Sequence, residues 1–129
     1  MLVSVAQSVH LASNMFSACS SLQGAGALHV LNVQHLVLES SMAEKCTSDP
    51  LSACFHLTQT RNATATDLVL LGRHGPEDGP LLTLTTESHV NIHSLVVRNA
   101  NGGDSGVLRV SDGSVRFTQN VIADGCVAT

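Results

Sequence analysis

The feature that most restricts this chain is self-similarity at a period of about 26 residues. Five short apolar runs recur: "LVSV", "ALHV", "CFHL", "LLTL" and "VLRV". Their last residues are Val5, Val30, Leu57, Leu84 and Val110, spaced 25, 27, 27 and 26. A second column holds Val9, Leu36, Ala63, Val90 and Val115, and a third Leu11, Leu38, Ala65, Ile92 and Phe117. Then comes a polar column, Asn14, Ser41, Asp67, Ser94 and Asn120, with Met15, Met42, Leu68, Leu95 and Val121 behind it. Repeats of this length belong to stacked, solenoid-like architectures.

Within each unit the periodicity is two. Leu108 and Val110 face one way and Arg109 the other, and Val115 and Phe117 alternate with Arg116. That is the spacing of strands. Stretches of helical periodicity between them are missing, which argues against βαβ units. A leucine-rich repeat has an overlapping period, and "VHLASNMF" echoes it, but the second strand of each unit occupies the place of its helix. The expectation is all-β: a parallel β-helix solenoid of about five coils, with two or three short strands per coil. "LVVRN" at Leu95–Asn99 is an example of the third strand. Residues 1–129 form a single domain, and neither end carries a covering segment. Open solenoid ends expose strand edges and core. The chain is therefore expected to be a fragment of a longer solenoid or to stack on a partner.

Composition agrees with a thin core. The chain is 43% hydrophobic, yet it has no Trp or Tyr and three Phe. A net charge of −4 gives no nucleic-acid footprint. No apolar run reaches the roughly 18–20 residues of a membrane span. The opening "MLVSVAQSVHLASNMFSA" lacks the basic start of a secretion signal and is interrupted by Gln7, Ser8 and His10, so it reads as structure.

"GVL" followed by "FTQN" (Gly106–Leu108 and Phe117–Asn120) resembles the repeat of polymorphic outer-membrane autotransporter passengers. More broadly the chain is similar to right-handed, pectin-lyase-like β-helices. The resemblance implies an extracellular or cell-surface location and a passenger segment. It also implies where an enzyme of that kind would carry its site: acidic residues, often with calcium, and a catalytic Arg or Lys on one outer face.

The outward columns do not supply that set. Strand one presents Ser4, His29, His56, Thr83 and Arg109, and strand two His10, Val37, Thr64, Asn91 and Arg116. Neither holds a carboxylate, whereas calcium and glycoside hydrolysis both need converging acids. The acids sit in turns, at Glu77, Asp78, Asp104, Asp112 and Asp124. No catalytic residue and no cofactor is assigned. His29 and His56, one coil apart, are the metal candidates, but Thr83 follows them where a third ligand is needed, and polar stacking accounts for the pair as well.

Cys19 and Cys46 lie 27 residues apart, hence on adjacent rungs about 4.8 Å apart, within disulfide range. A reduced, buried stack is the alternative. Cys126 shares their column three coils away, and Cys54 opens the third coil. "NAT" makes Asn62 a glycosylation candidate, placed in a turn. The polar column, Asn14, Ser41, Asp67, Ser94 and Asn120, reads as a structural ladder. "GRHGPEDGP" (Gly72–Pro80) and "RNANGGDSG" (Arg98–Gly106) are the loops suited to binding.

The sequence thus points to a non-catalytic segment for adhesion, scaffolding or ligand display. Its partners would be a polysaccharide or protein ligand and further coils or a stacking partner. The alternatives are a carbohydrate-active pectin-lyase-like enzyme or its polysaccharide-binding remnant, and an inert repeat of a large intracellular protein.

Overall fold

The computed structural model describes residues 1–21, 26–48, 54–72, 82–99 and 107–126. They form a parallel β-solenoid, with strands and no helix among the described residues. Among the described residues, the helix required by the leucine-rich alternative is not there. Among those residues no helix is long and apolar enough to cross a membrane.

The first rung contains β1 (Leu2–Ala12), β2 (Met15–Ser17) and β3 (Ser20–Ser21). The second holds β4 (Leu28–Glu39), β5 (Met42–Glu44) and β6 (Thr47–Ser48). The third has β7 (Phe55–Thr66) and β8 (Leu68–Leu71), the fourth β9 (Leu82–Thr85), β10 (Ser88–Ile92) and β11 (Leu95–Arg98). The last rung comprises β12 (Leu108–Val110), β13 (Gly113–Phe117) and β14 (Val121–Asp124). The main sheet runs β1-β4-β7-β10-β13, with β9 and β12 continuing beside it, and the second runs β2-β5-β8-β11-β14. A small third sheet pairs β3 with β6.

Two of the expected strands are one in the first three rungs. β4 and β7 each run for 12 residues, and the inward positions step by three twice, at Val30–Val33–Leu36 and Leu57–Thr60–Ala63, the first step falling on a corner residue. Val30 and Val33 are both buried, three apart, with Asn32 between them in the left-handed region at φ 55°. Leu57 and Thr60 flank Gln59 (φ 52°) in the same way. The left-handed residue reverses which side faces inward, so the sequence shows two short alternating runs where the backbone has one bent strand. Further corners repeat at Ser13, Ser40 and Asp67, and at Ala18, Lys45, Asn99 and Gly125.

The register shifts the first strand of the opening rung by two residues. Val3, not Val5, pairs with Val30, and Leu2, not Ser4, pairs with His29. Val5 is itself a corner, at φ 51° and 75% exposed. The apparent spacing of 25 was a corner residue mistaken for a core residue, and the true spacing is 27. The Val9 and Leu11 columns hold from the first rung to the last.

The core explains the difference between rungs and turns. Its fully covered members run from Ala27 to Val97, including Leu28, Phe55, Leu57, Leu70, Leu84 and Ile92. About three turns therefore enclose a core, where about five coils were expected, and an outer rung lies at each end. Burying each such Leu or Phe contributes roughly 1.5–3 kcal/mol. Phe16 and Phe55 meet edge to face, with centroids 5.8 Å apart.

Candidate functional site

The most distinctive polar cluster is on the main sheet. Parallel pairing sets His29 beside His56 and His56 beside Thr83. The two imidazoles stack with centroids 4.7 Å apart and planes 4° from parallel. By alternation this column faces outward, yet His56 and Thr83 are buried, at 6% and 1% exposure. His56 Nε2 lies 3.2 Å from Thr85 Oγ1 and 3.3 Å from Thr58 Oγ1, and those two hydroxyls are 2.9 Å apart. Among the described residues His56 Nδ1 is buried without a hydrogen-bond partner. Burial, and secondarily the neighbouring His29, push His56 down to about 4, and burial also lowers His29. Both rings are thus held neutral near pH 7.

Stacked rings keep their nitrogen lone pairs in parallel planes, whereas a shared metal needs them to converge. Among the described residues no group of three His, Cys, Asp or Glu is placed to hold a metal ion. The chemistry of this cluster is that of a desolvated polar seam.

A second cluster is built from thiols. Ser20 pairs with Thr47, which sets Cys19 beside Cys46 on neighbouring rungs. None of Cys19, Cys46, Cys54 and Cys126 is in a disulfide. Cys19, Cys46 and Cys126 each direct Sγ to the carbonyl two residues back, at 3.6, 3.3 and 3.5 Å. Cys46 also makes thiol contacts with Cys54 and Cys19. The Cys54 hydrogen bond leads in pulling Cys46 down to about 6, against the opposing effect of burial. Burial, then the charge of Cys46, raises Cys19.

The polar column is only partly assembled. Asn14 and Ser41 stand one step before the paired Met15 and Met42. The next rung offers Leu68 at that position, because Met42 pairs with Val69. Asp67 instead occupies a corner, in line with Ser13 and Ser40. Ser94 and Asn120 place their carbonyls on the amides of Leu68 and Leu95. The side chains of Asn14 and Ser41 bond back to Ala12 and Glu39 rather than to each other. Ser41 and Asp67 are 26 residues apart against a register of 27, a one-residue slip that is invisible when both are read simply as polar.

Asn62 is exposed, within β7 rather than in a turn, beside His35. His89 Nδ1 is 2.8 Å from Ser114 Oγ. His10 pairs with Glu39 at 3.0 Å on the open surface. Asp112 and Asp124 lie on the last rung. Glu77, Asp78, Asp104 and most of the two segments Gly72–Pro80 and Arg98–Gly106 lie outside the described residues.

Two features escaped sequence reasoning. Buried Ser88 bridges rungs: its hydroxyl donates toward Leu57 O (3.1 Å) and Thr85 O (2.7 Å) and accepts from the Thr60 amide (3.2 Å). An open groove of about 260 Å³ follows the first corner, lined by Val5, Ala6, Gln7, Asn32 and Gln34. Its signal was the matched pair Gln7 and Gln34, 27 residues apart. Compared with known proteins, this parallel β-solenoid matches no protein family, no curated protein and no solved structure.

Proposed function

We propose that the chain is a non-catalytic solenoid segment for adhesion, scaffolding or ligand display on a surface or secreted protein. In this reading its outer rungs are covered by further coils or by a stacking partner. The observation that carries it is the state of those rungs. β1 and β13 are the edges of the main sheet, and Leu2, Met15, Phe117, Val121 and Ile122 are 45–66% exposed beside them. Unpaired edges flanked by apolar side chains are a template for a further strand. Exposure of Asn62 suits a glycosylated, extracellular chain, and the likeness to autotransporter passengers points the same way. Sedimentation velocity of the chain should show self-association that Phe117→Lys with Ile122→Lys reduces. A stable lone monomer would count against the reading, as would turnover of a uronic-acid polymer.

A second reading, polysaccharide binding on a pectin-lyase-like frame, is favoured by the groove beside Val5. Gln7, Asn32 and Gln34 offer amide donors and acceptors suited to sugar hydroxyls. A glycan array would separate the two, with Gln34→Ala abolishing any hit if this groove is the site.

A further inference from the structure

Cys46 has two thiol neighbours, and they belong to different rungs. Cys19 is level with it on the first rung, through the pairing of Ser20 with Thr47. Cys54 opens the third rung, where its carbonyl accepts the amides of Ala27 and Leu28. Adjacent parallel strands put Cα atoms about 4.8 Å apart, which brings Cys19 and Cys46 inside the window for a disulfide, while Cys54 meets Cys46 through a thiol hydrogen bond. Cys46 and Cys54 are buried, at 1% and 0% exposure, while Cys19 is partly open to solvent. An entry point and two interior partners thus lie in one contact chain.

We propose that Cys19, Cys46 and Cys54 form a thiol–disulfide exchange site in which Cys46 is the shared partner. Its bond to Cys19 staples the first rung to the second, and its bond to Cys54 staples the second to the third. The oxidant is a low-molecular-weight disulfide of the glutathione type. The Cys19 thiolate, its proton released to water, attacks one sulfur of that disulfide and expels one small thiol. The Cys46 thiolate then attacks Cys19 Sγ in the mixed disulfide, forming Cys19–Cys46 and expelling the second small thiol. Two protein thiols are oxidised and one disulfide is reduced. Cys54 can next attack Cys46 Sγ, forming Cys46–Cys54, while Cys19 leaves and takes up the proton that Cys54 gives up. The depressed thiol of Cys46 keeps it reactive near neutral pH.

The site is independent of any ligand and of the reading given under Proposed function. Its test is disulfide mapping by peptide mass spectrometry of the whole chain after incubation with oxidised glutathione. In the wild type every intramolecular cross-link should contain Cys46, joined to Cys19 or to Cys54. Cys54→Ser should leave only Cys19–Cys46, Cys19→Ser should remove the entry thiol and leave no cross-link, and Cys46→Ser should lose cross-linking altogether. Should Cys46→Ser fail to fold, the two other variants still decide the matter. Absence of cross-links in the wild type, or a Cys19–Cys54 or Cys126 bridge, overturns the proposal.

Discussion

Ile92 and Phe117 occupy the same column, paired across β10 and β13, yet Ile92 is fully buried and Phe117 is 45% exposed. The same contrast separates Leu84 (0%) from its partner Val110 (41%). Both members of each pair point toward the interior by alternation. What differs is the number of covered sides: the inner residue has a rung above and below, the outer one a rung on one side only. Stability in such a stack is a sum over neighbours. The chain therefore has a firm middle, from Ala27 to Val97, and two rungs that contribute less than their composition suggests.

The largest effect that tests this contrast is in the core. Phe55→Ala should cost about 3–5 kcal/mol in chemical denaturation, and Phe117→Ala about 1 kcal/mol or less. Equal losses would break the comparison. Next comes the buried imidazole. His56 titrates near 4 when folded and near 6.5 when unfolded, so the unfolded chain takes up its proton first. The contribution of His56 is complete above pH 6.5 and is lost as pH falls toward 4, on the order of 3 kcal/mol. His56→Gln should flatten that dependence in a stability-against-pH series.

A smaller effect addresses the attachment of the last rung. Gly113 has φ 145°, and a Cβ there would meet the Ser88 carbonyl oxygen at 1.9 Å. Gly113→Ala should loosen β12–β14 by about 1–3 kcal/mol. Hydrogen exchange would read this as lost protection over residues 107–126 with protection at 28–48 and 54–71 retained. Loss of protection everywhere would mean that the rungs are not separable. The smallest effect sharpens the corner argument. Val5 is a β-branched residue at positive φ, where Asn is tolerated and occurs at Asn32. Val5→Asn should gain up to about 1 kcal/mol, and Asn32→Val on an inner rung should lose a similar amount.

Much of the fold was legible because a column is a matter of spacing. Val9, Leu36, Ala63, Val90 and Val115 align in the sequence and in the sheet. The columns went astray where one residue sits at positive φ, since Val5 has the side chain of a core residue and the backbone of a corner. The slip between Ser41 and Asp67 has the same origin. Of the candidate sites, the adjacency of His29 with His56 and of Cys19 with Cys46 followed from their spacing of 27. The part played by Cys54 did not, because it lies eight residues beyond Cys46 and reaches it from another rung.

The residues alone determined a stacked, parallel, period-two architecture, because inward and outward positions are set by local backbone geometry. Which of those positions are truly dry was decided only by tertiary structure. Burial of His56, Thr83 and Ser88, and exposure of Phe117 and Ile122, depend on what lies on neighbouring rungs and over the sheet. That is a property of contacts some 25–31 residues apart, such as the hydrogen bond from Ser88 to the Leu57 carbonyl, and no local pattern records it.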